Sequence, residues 1–243
     1  MIIPRVAMLL AAGLGTRMRP LTEHTAKPLL TLGGRTLLDH ALDRLAEAGV
    51  EKVVVNVHWH AEAVAAHLAA RRQPPRTVLR HEDALLDTGG GVRAAADLLG
   101  ADPFYVVNGD SFWLEGPAPA LHRLAVAWDL GRADAVLLVM RTCQIRAETG
   151  AGDFFLDPFG MVRRRAEREI APHVFAGIQL IAPALLAQAP QGPFSMNLAW
   201  DRAIAAGRLR AVVHDGWWFH LSTPTDLAEA EALLYAQRTG ASR

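Results

Sequence analysis

Along the first half of this 243-residue chain the hydrophobic spacing switches repeatedly between two periods. Residues 5–10, which include Val6-Ala7-Met8-Leu9-Leu10, form a short apolar run that breaks into glycines, the pattern of a buried strand. A helix is predicted over residues 36–48, closed by Gly49 in the favoured place just past a helix end. Residues 52–57 are a second β-branched run, followed by a helix over 61–71 and a short strand near 77–80. Asp87-Thr88-Gly89-Gly90-Gly91 reads as a loop that opens a helix through Leu99. Residues 104–107 form the next buried strand, which stops at Asn108-Gly109-Asp110, and a helix over 118–129 with a strand at 135–140 completes the series. Strands and helices in alternation predict a parallel sheet with helices on both faces and ligands at the carboxyl ends of its strands.

The second half is less regular. Residues 153–156, 161–165 and 174–181 predict strands of a smaller antiparallel lobe, joined by helices over 197–206 and 225–237 and strands at 209–213 and 217–221. No linker rich in Gly, Ser or Pro separates the halves, so residues 1–243 are expected to form one domain with lobes of about 1–145 and 146–243. A hydrophobic content of 51% with 7% aromatics suits a soluble α/β protein. Zero formal charge removes any global field that would draw the chain to nucleic acid or an anionic membrane. The lone Cys143 excludes an internal disulfide and is expected as a small buried hydrophobe in a reducing compartment. No apolar stretch approaches about 18 residues, and Arg17 and Arg19 follow too closely on the first strand for a secretory signal, so a cytoplasmic protein is expected.

The chemistry concentrates near the first strand. Gly13 and Gly15 let backbone approach a ligand closely, and free N–H groups on such a turn suit polyphosphate oxygens. Arg17, Arg19 and Lys27 add positive charge there. A dinucleotide-binding turn wants glycine where Met18 stands, and no Gly-Lys-Ser or Gly-Lys-Thr marks a Walker loop. Asn108-Gly109-Asp110 at a strand end is either turn chemistry or a carboxylate for Mg²⁺. His58 and His60 alternate about a strand end and read as a loop pair without chemistry. Arg163-Arg164-Arg165 reads as a solvated strand edge, with a phosphate contact as the alternative, and Trp217-Trp218 as packing.

Residues 10–21, Leu-Ala-Ala-Gly-Leu-Gly-Thr-Arg-Met-Arg-Pro-Leu, together with Lys27-Pro28-Leu29, resemble the signature of the nucleoside-triphosphate:sugar-1-phosphate nucleotidyltransferases, the sugar-nucleotide pyrophosphorylases. The resemblance implies a Rossmann-like, mostly parallel sheet with a smaller antiparallel substrate-binding lobe. It implies nucleotide contacts from Ala11, Ala12, Gly13, Gly15, Thr16, Arg17, Lys27, Glu82 and Gly90, with Arg17 and Lys27 acting on the phosphates. Asn108 and Asp153 are implied as sugar contacts, and Asp110 as the ligand of Mg²⁺, with Mn²⁺ as an alternative. The triple glycine and Gly152-Asp153-Phe154 look closest to the branch that makes UDP-N-acetylmuramate from UTP and N-acetylmuramate 1-phosphate in cell-wall recycling. GTP with mannose 1-phosphate is the enzymatic alternative.

One departure stands out. Where the family usually carries a second metal aspartate, this chain has His220, in Trp218-Phe219-His220-Leu221-Ser222-Thr223. Imidazole is a poor Mg²⁺ ligand. The preferred reading rests the ion on Asp110, phosphates and water. Use of Mn²⁺, a neutral His220 donating to substrate phosphate, and a nucleotide-sugar-binding protein with impaired catalysis remain open alternatives.

Overall fold

The computed structural model describes residues 2–129, 133–145 and 150–239. In chain order it contains β1 (Val6–Leu10), a small hairpin of β2 (Thr31–Leu32) and β3 (Arg35–Thr36), α1 (Leu37–Glu47), β4 (Lys52–Val57), α2 (Ala61–Ala70) and β5 (Arg76–His81). There follow α3 (Asp87–Ala94), α4 (Ala96–Leu99), β6 (Phe104–Asn108), β7 (Phe112–Leu114), α5 (Ala120–Asp129) and β8 (Ala135–Arg141). The remainder comprises β9 (Phe154–Leu156), β10 (Val162–Arg164), β11 (His173–Ile181), α6 (Asn197–Ala205), β12 (Leu209–Val213), β13 (Trp217–Phe219) and α7 (Pro224–Thr239).

One sheet runs in the order β10-β9-β11-β6-β1-β4-β5, with β8 on the free side of β11 and β12 on β8. β6, β1, β4 and β5 are mutually parallel, as the alternating pattern predicts. β11 lies antiparallel to β6 and carries β9 and β8 with it, so the antiparallel strands of the second half extend the same sheet. Strand alternation sends Ala7 and Leu9 to one face, where α1, α2 and α5 contribute Leu38, Leu42, Val64 and Leu121. Met8 points to the other face, with Val92, Leu99 and Trp200 from α3, α4 and α6. A third cluster joins Met18, Leu32, Phe112, Phe219 and Ala230, closing α7 onto the end of the sheet. Thr223 and Asp226 cap α7 reciprocally: Asp226 N donates to Thr223 Oγ1 and Thr223 N donates to Asp226 Oδ2, with Pro224 at the first helical position.

Three expectations change. Asp87 to Gly91 lie inside α3, and the helix is interrupted at Ala95 before α4. Cys143 is exposed, because residues 142–144 form a short 3₁₀ turn at the surface. Trp218 packs and donates to Ala176 O at 2.9 Å, whereas Trp217 is 46% exposed. No described helix is long and apolar enough to cross a membrane.

Candidate active site

β1, β4 and β6 stop at one level, with Leu10 paired to Asn56 on one side and Asn108 on the other. The backbone beyond β6 is clamped to β1, since Gly109 N donates to Leu10 O at 2.8 Å. A Cβ at Gly109 would stand 2.6 Å from Leu10 O and 3.2 Å from Pro28, so only glycine permits this approach. The clamp carries Asp110 over the end of β1. A 3₁₀ turn at Lys27–Leu29 brings Lys27 to the same point, where Nζ donates to Asp110 Oδ2 at 2.5 Å. Lys27 is 9% exposed, while the Asp110 side chain remains 38% open to solvent. A nearly buried ammonium with one anionic partner beside an accessible edge is suited to exchange that partner for phosphate.

The turn after β1 is held from beneath. Ala11 N donates to Asn56 Oδ1 at 2.8 Å, Asn56 Nδ2 donates to Glu82 Oε1 at 2.7 Å, and Leu86 N donates to Glu82 Oε2 at 3.3 Å. Asn56 and Glu82 are buried, so this chain fixes the exit of β1 relative to β4 and the start of α3. Asn56 shows in the sequence only as a polar residue inside the apolar run of β4. Ala12 is buried, and Gly15 adopts a left-handed conformation at φ +63° packed on Thr22. Gly13 differs, because a Cβ there would meet nothing within 4 Å. Thr16 and Arg17 lie exposed on a 3₁₀ turn anchored by fully buried Met18.

His220 follows β13, with Nε2 hydrogen-bonded to Ser222 Oγ at 2.7 Å. Burial pushes its pKa below the usual 6.5; Arg17 and Lys27 push the same way, and Asp226 and Asp110 oppose them. The imidazole is therefore neutral at pH 7. The C-terminal segment packs beside the turn after β1, since Phe219, Leu221 and Ala230 share a buried cluster with Met18.

The three glycines of α3 are required by packing. A Cβ at Gly89 would lie 2.3 Å from the Phe194 ring, one at Gly90 2.5 Å from Gly192 O, and one at Gly91 2.8 Å from both Asn56 and Glu82. The Gly89 and Gly90 amides donate to Phe194 O. Beside α3 opens a cleft of about 310 Å³ reaching Asn108, Asp153, Asp87 and Arg164. Asp153 lines the cleft and accepts from Phe175 N at 2.9 Å. Arg164 lines this cleft instead of lying on a solvated edge, whereas Arg163, paired with Glu169, and Arg165 lie exposed as expected. His58 and His60 hydrogen-bond backbone carbonyls of Glu82 and Glu23.

The donor set limits what metal could be held. No three His, Cys, Asp or Glu side chains cluster for a metal among the described residues. Asp110 could offer one carboxylate oxygen, and His220 Nε2 is engaged with Ser222. This fits an ion that completes its shell with substrate phosphate and water, as Mg²⁺ does, and does not fit an all-protein cage.

The comparisons follow the same geography. The family described as MobA-like NTP transferase domain matches residues 7–145. The chain is 44% identical to N-acetylmuramate alpha-1-phosphate uridylyltransferase of Caulobacter vibrioides over 95% of this chain and 97% of that protein. It is 30% identical to the protein of the same name from Neisseria meningitidis serogroup B, over 93% and 97%. A crystal structure of UDP-glucose pyrophosphorylase complexed with UDP-glucose superposes with a TM-score of 0.81 at 15% identity, covering 96% of this chain and 99% of that one, which speaks for the fold. The clamped Asn-Gly-Asp turn, the glycine exit of β1 and the matched residues converge: this chain belongs to the nucleotidyltransferases of the MobA-like NTP transferase domain family.

Proposed function

We propose that the chain transfers the uridylyl group of UTP to N-acetylmuramate 1-phosphate, forming UDP-N-acetylmuramate and pyrophosphate. The observation that carries this reading is the 2.5 Å Lys27–Asp110 pair over the ends of β1 and β6, next to a turn whose Gly13 leaves open space. The 44% identity to the Caulobacter uridylyltransferase supports the choice of base and sugar.

In this reaction an oxygen of the sugar 1-phosphate attacks the α-phosphorus of UTP in line. One P–O bond forms, the α–β bridging P–O bond breaks, and its electron pair leaves with pyrophosphate. Positioning and charge neutralisation supply most of the barrier reduction. Backbone at Ala11, Ala12, Gly13 and Gly15 cradles the triphosphate, with Thr16 at its edge and the base near Gly90 and Glu82. Arg17 neutralises the leaving β- and γ-phosphates. Lys27 leaves Asp110 to bridge the α-phosphate and the incoming phosphate. Asn108 and Asp153 hold the sugar. Asp110 would hold Mg²⁺, which when bound supplies a Lewis acid for charge on the phosphoryl oxygens. Neutral His220 donates to phosphate and adds no charge.

In this reading residues 1–145 serve the nucleotide and 146–243 the sugar, and the reaction belongs to salvage of a cell-wall sugar in the cytoplasm. The test is a pyrophosphate-release panel pairing UTP, GTP, dTTP and ATP with N-acetylmuramate, N-acetylglucosamine, glucose and mannose 1-phosphates, each with Mg²⁺ and Mn²⁺. UTP with N-acetylmuramate 1-phosphate is expected to give the highest kcat/KM. Preference for GTP with mannose 1-phosphate would replace this reading, and binding without turnover of any pair would point to an impaired, substrate-binding protein.

A further inference from the structure

Arg164 is the one cation among the residues that line the cleft beside Asn108, and it shares that cleft with the carboxylates of Asp87 and Asp153. It sits at the end of β10, register-paired with Phe154. One edge of its guanidinium is spent on protein: Nε donates to Asp201, and Nη2 donates to Asn197 Oδ1 at 2.9 Å. The plane is further fixed by aromatic rings, with the guanidinium carbon 5.2 Å from the centre of Phe154 and 6.0 Å from that of Trp200. Nη1 donates to no protein group among the described residues, so the fork keeps free donors.

N-acetylmuramate differs from N-acetylglucosamine by a lactyl ether on the 3-oxygen, which adds a carboxylate. An anion entering a cleft flanked by Asp87 and Asp153 is repelled unless a cation compensates it. A guanidinium held rigid on one edge and open on the other meets a carboxylate at low entropic cost, and Arg geometry suits that planar group. We infer that Arg164 is the specificity residue for the sugar, its free end binding the lactyl carboxylate, with Asp201 and Asn197 as positioning residues that hold the fork. This inference rests on the substrate proposed above.

The test compares kcat and KM for N-acetylmuramate and N-acetylglucosamine 1-phosphates, with UTP, in wild type, Arg164→Gln and Arg164→Lys. A charge-assisted hydrogen bond predicts a fall of about 10- to 100-fold in the ratio of the two kcat/KM values for Arg164→Gln. The loss is expected mainly in KM for the muramate substrate, with partial recovery in Arg164→Lys. Thermal unfolding of each variant identifies any that does not fold, and Arg164→Lys then carries the comparison. Equal losses on both substrates would assign Arg164 to holding α6 and overturn the inference, as would an unchanged ratio. Wild-type failure to use N-acetylmuramate 1-phosphate, with another sugar accepted, would overturn the underlying reading and this inference together; a working wild type with an unchanged ratio overturns this inference alone.

Discussion

Replacing Asn56 by alanine tests how the site is built. Asn56 is 3% exposed and makes two hydrogen bonds, accepting from Ala11 N at 2.8 Å and donating to Glu82 Oε1 at 2.7 Å. Asn56→Ala strands a buried amide, which costs about 1–3 kcal/mol, and removes a hydrogen bond to a charged group, worth about 1.5–3 kcal/mol. Their sum is about 2.5–6 kcal/mol, a large part of a typical folding free energy. In a domain of this size that lowers Tm by roughly 10 °C. Urea unfolding followed by circular dichroism measures the change directly. Activity is expected to fall as well, because Ala11 heads the turn that cradles phosphate in the proposed reaction. Adding Glu82→Gln to Asn56→Ala is expected to recover part of the stability, since it removes the charge left without its donor. A loss below about 1 kcal/mol for Asn56→Ala would refute the argument that this chain of bonds fixes the β1 exit.

Other outcomes follow from the same geometry. Gly109→Ala places a Cβ 2.6 Å from Leu10 O, so the turn bearing Asp110 must shift; kcat is expected to drop about 100-fold, and wild-type kcat would show that the clamp does not position the site. Asp110→Asn and Lys27→Ala are each expected to cost about 100- to 1,000-fold in kcat/KM with the fold intact, read by pyrophosphate release and circular dichroism; full activity in either would remove that residue from the chemistry. Chelation of divalent ions with EDTA is expected to abolish turnover, with Mg²⁺ restoring it; turnover that persists would exclude the role given to Asp110. Burial pushes His173, His214 and His220 below the usual 6.5, so the unfolded state binds protons more readily than the folded one. Stability is then fully present above about pH 6.5 and is lost as pH falls toward the depressed folded values. Urea unfolding at pH 7 and pH 5 is expected to show this fall, reduced in His214→Asn; a slope unaffected by that substitution would place its origin elsewhere.

Much of the fold is legible in the chain because its strands and helices follow clean periods. β4 spans residues 52–57 as the β-branched run predicts, and β1 and β6 lie within a residue or so of their apolar runs. The β2–β3 hairpin and β7 escape a periodicity argument because two or three residues contain no period. The start of helix α3 escapes for another reason. Three consecutive glycines are poor helix formers, at about 1 kcal/mol each relative to alanine, so propensity reads them as a loop. Phe194, Gly192 and the Asn56–Glu82 pair leave no room for a Cβ on that helix face, and tertiary packing outweighs propensity. The joining of both halves into one sheet is likewise invisible locally, since it depends on β11 pairing with β6 at a distance in sequence.

The site was legible where motif and strand end coincide. Gly13, Gly15 and Asp110 stand just past strand ends in the chain, Lys27 lies in the motif that follows, and the fold brings Lys27 and Asp110 to 2.5 Å. Asn56 was not legible, and Arg164 was not separable from a run of arginines that offered a solvated edge or a phosphate contact. The first hides as one polar residue in an apolar strand, and the second as the middle of three arginines whose roles only the sheet register separates.

The most direct measurement is the product itself. Purified protein incubated with UTP, N-acetylmuramate 1-phosphate and Mg²⁺ is predicted to yield UDP-N-acetylmuramate and pyrophosphate in equal amounts by mass spectrometry and phosphorus NMR, with neither formed by Lys27→Ala. No product from the wild type, or the same yield from Lys27→Ala, would contradict the account.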